Sequence, residues 1–218
     1  MKYMQQILLY TLITVVVIVV GVYVFKADKS QLESDAGDRV QSLNTTLVYP
    51  KFKTVAPFTL GGNGSEFTEA DLQGKWSLVF FGYTYCPDIC PTTMSVMKRF
   101  YLALPPEIQD KTQVILVSVD PERDSPQQLQ QYAKAFHDDF IAVTGSHEAL
   151  HALTRDFGAI YAKVGEGEDY LVDHTGKIFV IDPKGRRYAF INKSMTDPTQ
   201  GYQYNLDLML EDFLSFAD

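Results

Sequence analysis

The apolar residues of this chain form one long block near the N-terminus and a series of short runs after it. Residues 7–25 are apolar except for Thr11, Thr14 and Gly21, and none of them is charged. About 18 or more apolar residues in a row predict a membrane-spanning helix. A cleaved signal peptide has a shorter apolar region, of about 7–15 residues, and ends in a small-x-small site, where this chain has Phe25. We therefore expect residues 1–26 to form a single, uncleaved transmembrane anchor.

The segment that follows is polar. Residues 27–46 are rich in Asp, Ser, Gln and Lys and show no apolar period. Such a composition is typical of a solvated linker. We expect a polar spacer over residues 27–46 and one folded domain over residues 47–218.

Strand and helix patterns alternate through that domain. Residues 76–83 and 113–119 are almost continuously apolar, as in strands that are covered on both faces. A short strand is predicted at 140–144. Two hairpins are also predicted: one pairs residues 56–60 with 66–67, and the other pairs residues 177–181 with 187–191. Helices are predicted at 92–102, 126–136, 147–157 and 206–216. This order predicts an α/β, thioredoxin-like fold, in which helices flank a central mixed sheet.

Charge excludes one class of partner. The chain has 19 Lys and Arg against 27 Asp and Glu, a net charge of −8. Without Lys2 and Lys26, residues 27–218 have 17 against 27, a net charge of −10. Because nucleic-acid-binding domains carry a basic surface, we expect no nucleic-acid partner.

The two cysteines of the chain, Cys86 and Cys90, lie between a predicted strand and a predicted helix. Ligands of α/β sheets bind at the carboxyl ends of the strands. Pro87 and Pro91 follow the cysteines and disfavour helical geometry for them, so we expect Cys90 at the helix N-cap and Cys86 in the loop. The unpaired N–H groups of a helix N-terminus lower the pKa of a thiol, which favours the thiolate.

Three intervening residues allow either a disulfide or metal ligation by both sulfurs. A disulfide that closes so small a ring stabilises a fold by only about 2 kcal/mol, which argues against a purely structural bond. Thiolates select Cu(I), zinc and iron–sulfur centres, and one added imidazole suits copper in either oxidation state. The spacing alone leaves these alternatives open.

None of the four histidines is connected to the cysteines by spacing. His147 and His151 lie four residues apart on a predicted helix, without a nearby cysteine or carboxylate pair, and a solvated face is the simpler interpretation. His137 lies in a polar stretch and is expected at the surface. His174 precedes the last predicted hairpin and is interpreted as a turn residue.

Three motifs occur in order along the chain: FGYTYCPDICPTT at residues 81–93, VSVDPERD at 117–124 and VDHT at 172–175. Together they resemble the Sco/SenC family, membrane-anchored copper proteins of cytochrome c oxidase assembly. The resemblance covers about residues 50–215, and no motif departs from the family's pattern. It implies a thioredoxin-like fold in which Cys86, Cys90 and His174 bind copper, with Cu(I) held trigonally and Cu(II) given an added ligand.

The resemblance also implies roles for three acidic residues and a set of partners. Asp120, Asp124 and Asp173 are expected to orient the copper ligands or to dock a partner. The implied role is delivery of copper to the CuA centre of cytochrome c oxidase subunit II, or reduction of the cysteines of that centre. Other periplasmic copper chaperones or thiol reductants are further expected partners.

The expected cellular location of the protein follows from the same resemblance. The six residues before the apolar block at 7–25 are too few for a mitochondrial transit segment. We therefore expect a bacterial inner-membrane protein with a single span and a C-terminal domain that faces the periplasm.

The function has alternatives. A metallochaperone is a binding and transfer protein rather than an enzyme, and it needs Cys86, Cys90 and His174. A thiol–disulfide oxidoreductase needs only the redox-active pair Cys86 and Cys90, although thioredoxin-type enzymes have two residues between their cysteines and not three. A copper or redox sensor would use the same site. A peroxiredoxin-like peroxidase is disfavoured, because Thr84 lies two residues before Cys86 and not three.

Overall fold

A computed structural model describes residue 3 and residues 41–62, 64–194 and 203–217 of the chain. The predicted anchor at residues 1–26 lies, apart from residue 3, outside the described residues. Within the described part of the chain, no helix combines the length and the apolar composition needed to cross a membrane.

The domain alternates strands and helices, as its sequence predicts. The strands are β1 (Gln41–Ser42), β2 (Thr46–Thr54), β3 (Thr59–Gly61), β4 (Glu66–Thr68), β5 (Trp76–Gly82), β6 (Thr112–Ser118), β7 (Ile141–Val143), β8 (Tyr161–Val164), β9 (Leu171–His174), β10 (Ile178–Ile181) and β11 (Arg186–Ile191). The helices are α1 (Ile89–Ala103), α2 (Pro106–Gln109), α3 (Pro126–Phe136), α4 (His147–Phe157) and α5 (Leu206–Ala217), and a 3₁₀ turn covers Glu69–Leu72.

The main sheet is mixed and has the strand order β1-β2-β11-β10-β5-β6-β7. β5, β6 and β7 are parallel to one another, whereas β10 pairs with β5 in the antiparallel direction. Every residue of β5 and β6 is buried, which explains why neither strand has a polar side. The predicted mixed α/β architecture is confirmed.

The carboxyl ends of β5 and β6 lie side by side. Gly82, the last residue of β5, pairs in register with Ser118, the last residue of β6. The loop after β5 carries the two cysteines, and the loop after β6 carries Asp120 and Asp124. Adjacent ends of parallel strands therefore bring two of the three sequence motifs together.

The predicted spacer ends too late. Gln41 and Ser42, inside the segment 27–46, pair with Val48 and Leu47 of β2. One carboxylate of α5, Asp212, fixes this segment: its oxygens accept hydrogen bonds from the backbone N–H groups of residues 44, 45 and 46 and from the side chains of residues 44 and 45. Residues 41–46 therefore belong to the folded domain, because their backbone is paired and capped.

One hairpin is absent from the sequence-based prediction. β8 and β9 form a two-stranded antiparallel sheet of their own, in which Tyr161 pairs with His174. Five of the eight residues in these two short strands are exposed and only Val172 is buried, so the sequence shows no alternation of apolar and polar positions there. His174 is the last residue of β9 and not a turn residue, which corrects the interpretation drawn from its position in the chain.

Candidate metal centre

The two cysteines lie where β5 leads into α1. α1 begins at Ile89, three residues earlier than predicted, and Asp88 is its N-cap residue. Cys90 is therefore the second residue of the helix and not its cap, whereas Cys86 lies in the loop as expected. Both thiols are free, Cys86 half-buried and Cys90 fully buried. The backbone N–H of Cys90 points at the sulfur of Cys86, at 3.4 Å.

His174 approaches the same place from β9. Its Nε2 lies 3.4 Å from the Sγ of Cys90, and its ring packs edge-on against Phe80 and Tyr83, at 5.6 and 6.0 Å between centroids. Its Nδ1 lies 3.4 Å from the carbonyl oxygen of Thr175, which can only accept a hydrogen bond. A proton on Nδ1 leaves the lone pair of Nε2 directed at the cysteine sulfur, as a metal ligand requires.

The ligand atoms of Cys86, Cys90 and His174 all lie within 4.8 Å of one another. Among the described residues, no other three His, Cys, Asp or Glu side chains are gathered so closely. The fold thus unites the three residues that sequence spacing could not connect. Two sulfurs and one imidazole form a soft donor set that suits copper and leaves zinc one ligand short of its usual four.

Burial dominates the electrostatics of this site. Loss of solvent raises the pKa of the Cys90 thiol well above its usual value, and the nearby Cys86 and the charge of Asp124 raise it further. The expectation of a low pKa at the helix N-terminus is therefore wrong for Cys90, because desolvation exceeds the effect of the helix end. Burial lowers the pKa of His174, which keeps its imidazole neutral and available as a ligand at pH 7.

The site opens to solvent on one side through a cleft of about 460 Å³. Two exposed apolar side chains, Ile89 and Leu171, stand at its rim, with exposed fractions of 44% and 48%. The half-buried Cys86 and His174 line the cleft, whereas Cys90 lies behind them. An incoming ligand would therefore reach Cys86 or His174 before Cys90.

The loop after β6 supports the cysteine loop through Asp124. This carboxylate is 1% exposed and accepts hydrogen bonds from the N–H and hydroxyl of Thr84, at 2.9 and 2.5 Å, and from the hydroxyl of Ser118, at 2.5 Å. Thr84 lies two residues before Cys86. Asp124 therefore positions the cysteine loop and, being buried, does not form part of a docking surface.

The same loop supports the strand that carries His174. Asp120, 1% exposed, pairs with the Nε of Arg123 at 2.6 Å and accepts a hydrogen bond from the hydroxyl of Tyr170 at 2.6 Å. The Arg123 guanidinium lies over the rings of Tyr170 and Tyr85, at 3.6 and 4.8 Å from their centroids. Because Tyr170 directly precedes β9 and Tyr85 directly precedes Cys86, Arg123 connects the two halves of the site. Asp173 is exposed and takes no part in these contacts.

Two further residues, Tyr83 and Gly82, shape the site, although the sequence alone does not assign them a role in it. Tyr83 is 2% exposed, and its hydroxyl accepts a hydrogen bond from the N–H of Val172 at 3.2 Å, which fixes β9 against the end of β5. Gly82 leaves room for the sulfur, because a Cβ at this position would lie 3.0 Å from the Sγ of Cys90. Both belong to the motif at residues 81–93, but only the packing shows what they do.

Comparison with known proteins places this site in a family. A sequence profile described as SCO1/SenC matches residues 48–204, which include all three motifs. The chain belongs to the SCO1/SenC family. Among its Sco relatives is a SCO2-like protein of Rickettsia prowazekii, 38% identical over 142 residues, which covers 62% of this chain and 68% of that protein.

Solved Sco structures have the same fold. The apo Sco1 protein of Thermus thermophilus is 41% identical, with a TM-score of 0.63 over 76% of this chain and 92% of that one. The copper-bound ScoI of Arabidopsis thaliana is 30% identical, with a TM-score of 0.65 over 75% of this chain and 97% of that one. These similarities confirm the thioredoxin-like Sco fold that the three motifs imply.

Proposed function

We propose that this Sco protein binds one copper ion through Cys86, Cys90 and His174 and delivers it during cytochrome c oxidase assembly, to the CuA centre of subunit II. The observation that carries the proposal is the gathering of two sulfurs and one imidazole nitrogen within 4.8 Å. The copper bound by the Arabidopsis relative supports the choice of metal. Two thiolates and an imidazole hold Cu(I) with three ligands, and Cu(II) takes an added one.

Delivery requires a ligand set that can be exchanged stepwise. Cys86 and His174 line the open cleft, whereas Cys90 is fully buried. A thiolate of the acceptor would displace His174 or the Cys86 sulfur first, while Cys90 still holds the ion. Release is then completed when the proton returns to Cys90, whose burial raises the pKa of the thiol and favours the protonated, metal-free form.

The cellular location of the protein is part of the same proposal. The uncharged apolar residues 7–25 have the length of a transmembrane helix. An anchor over residues 1–26 in the bacterial inner membrane would hold the domain in the periplasm. There it would meet the copper domain of the oxidase and, in the same compartment, other copper chaperones or thiol reductants.

A second candidate role uses the sulfurs alone. Cys86 and Cys90 are free, and their Sγ atoms lie within 4.8 Å of each other, so the pair can form a disulfide while two electrons and two protons pass to a disulfide of the acceptor. In this role the protein would reduce the cysteines of the CuA centre before copper arrives. His174 would not be needed.

A transfer experiment separates the two roles. The copper-loaded chain is mixed with the isolated CuA domain whose cysteines are already reduced, and formation of the CuA absorption spectrum is followed. The proposal expects transfer by the wild-type chain and loss of transfer for His174→Ala. A reductant alone would instead restore the thiols of an oxidised CuA domain without copper, and would do so equally well with His174→Ala.

A further inference from the structure

A second group of metal-binding side chains lies away from the cysteines. His147 and His151 occupy positions one turn apart on α4, which places them on the same face of the helix. Glu122, in the loop after β6, faces them across a cavity of about 250 Å³ that all three residues line. Glu122 lies 25 positions before His147 in the chain, so only the fold places this carboxylate beside the histidine pair.

His147 contacts Glu122 and lies beside His151. The Nε2 of His147 lies 3.3 Å from a carboxylate oxygen of Glu122, and its Nδ1 lies 2.9 Å from the hydroxyl of Tyr161. The rings of His147 and His151 are nearly parallel, with centroids 6.1 Å apart. All three candidate ligands are exposed to solvent, so a metal ion can enter without unfolding.

The charges around the cavity leave Glu122 ionised. Hydrogen bonds from Tyr170 and His147 lower the pKa of Glu122. The nearest cations have other partners: Arg123 pairs with Asp120, and the ammonium of Lys163 lies 3.7 Å from the centroid of the Tyr170 ring. The carboxylate of Glu122 therefore remains available to a metal ion beside the two imidazoles.

We propose that His147, His151 and Glu122 form a second metal site, which takes a divalent transition-metal ion and prefers Cu(II). Two imidazoles and a carboxylate without a thiolate are borderline to hard donors, which disfavour Cu(I), and Cu(II) leads the divalent ions in affinity for such ligands. Binding requires the exposed ring of His151 to leave its stacking position on Tyr161, at 4.5 Å between centroids, and to turn toward His147.

The proposed histidine site lies next to the β8–β9 hairpin, which carries His174 of the cysteine site. Tyr161, which contacts both histidines of the pair, is the register partner of His174 across the β8–β9 hairpin. A Cu(II) ion at His147 and His151, on α4, would therefore lie beside Tyr161 of β8, whose register partner in β9 is His174. The proposal does not depend on the proposed function, because it uses none of Cys86, Cys90 and His174.

The test uses the full-length chain with the cysteine site removed, as Cys86→Ser/Cys90→Ser/His174→Ala, because thiols would reduce Cu(II). Copper sulfate is titrated while electron paramagnetic resonance and visible absorption are recorded. We expect one Cu(II) per chain, with the nitrogen hyperfine pattern of two imidazoles. His151→Gln in this background should weaken binding at least about ten-fold. His137→Gln is the matched control, since His137 is the remaining histidine and should leave binding unchanged.

Two results would overturn the proposal: no binding of one equivalent, or equal affinities for the background chain and its His151→Gln variant. A second measurement needs no change at the cysteine site. Ni(II), which thiols do not reduce, is added to the wild-type chain, and the imidazole NMR signals are followed. The signals of His147 and His151 should broaden before that of His137, and the reverse order would refute the site.

Discussion

The glycine at the end of β5 gives the sharpest test of how tightly the cysteine site is packed. A Cβ added at Gly82 would lie 2.9 Å from the Cε1 of Phe80, 3.0 Å from the Sγ of Cys90 and 3.2 Å from the Cδ1 of Leu116. Each of these three neighbours is fully buried, with an exposed fraction of 0%. None can move into solvent, so Gly82→Ala must displace the cysteine sulfur, the aromatic ring or the backbone.

The change in the free energy of unfolding caused by Gly82→Ala is the difference between a stabilising and a destabilising effect. Replacing a strand glycine by alanine gains about 0.5–1 kcal/mol from the lower entropy of the unfolded chain. Overpacking a closed core costs about 1–3 kcal/mol. The middle values of these two ranges differ by about 1 kcal/mol, so we expect Gly82→Ala to lower the free energy of unfolding by about that amount. It should also weaken copper binding, because ligands must be held within about 0.5 Å of their working geometry.

Urea unfolding and a competitive copper titration measure both effects. Gly176→Ala is the matched control, because Gly176 lies near the same site but a Cβ there meets no atom within 4 Å. The control should change stability by no more than about 0.5 kcal/mol. If Gly82→Ala had the stability and copper affinity of the wild type, the close packing around Cys90 would be refuted.

Three other substitutions test contacts described above. Asp124→Asn removes the charge that accepts three hydrogen bonds and should cost about 2–4 kcal/mol in urea unfolding. Tyr83→Phe leaves the buried N–H of Val172 without its acceptor, so the protection of that amide in hydrogen exchange should fall with a loss of about 1–3 kcal/mol. Burial alone would raise the pKa of Asp212, but the hydrogen bonds from residues 44–46 outweigh it and lower the pKa. The stabilisation from Asp212 is therefore complete above its unfolded pKa of about 3.9 and is lost as pH falls through the folded pKa. Asp212→Asn should make the stability profile flatter in acid, and the exposed Asp207→Asn should leave it unchanged.

Each of these predictions has a contrary result. An Asp124→Asn protein as stable as the wild type would show that the carboxylate does not hold the cysteine loop. Unchanged exchange at Val172 in the Tyr83→Phe protein would mean that the hydroxyl does not fix β9. Equal acid profiles for Asp212→Asn and the wild type would refute the role given to the hydrogen bonds at residues 44–46.

The central sheet and the cysteine loop could be predicted from sequence because their signals are local. Continuous apolar runs mark β5 and β6, and the cysteines follow β5 directly. The position of α1 was harder, because Pro91 suggests a helix start near itself, whereas the helix begins at Ile89. Proline is tolerated throughout the first turn, where its missing N–H has no partner to lose.

The histidine side of the site could not be derived from periodicity. β8 and β9 are short and largely exposed, so they carry no apolar alternation, and only the resemblance to known motifs pointed to His174. The raised pKa of Cys90 and the contacts of Asp120 and Asp124 depend on burial. Burial arises from the packing of loops that are distant in sequence, which no local pattern records.

The central claim is tested most directly by measuring how many copper ions the reduced chain binds. The same measurement is made on His174→Ala and on the double variant Cys86→Ser/Cys90→Ser. Competition with a chelator removes weakly bound ions, and absorption and electron paramagnetic resonance spectra are recorded for the Cu(II) form. We predict one tightly held copper per chain, with a thiolate-to-copper charge-transfer band that is lost in the double variant and markedly changed in His174→Ala. No chelator-resistant copper, or a spectrum unaffected by loss of His174, would contradict the three-residue copper site.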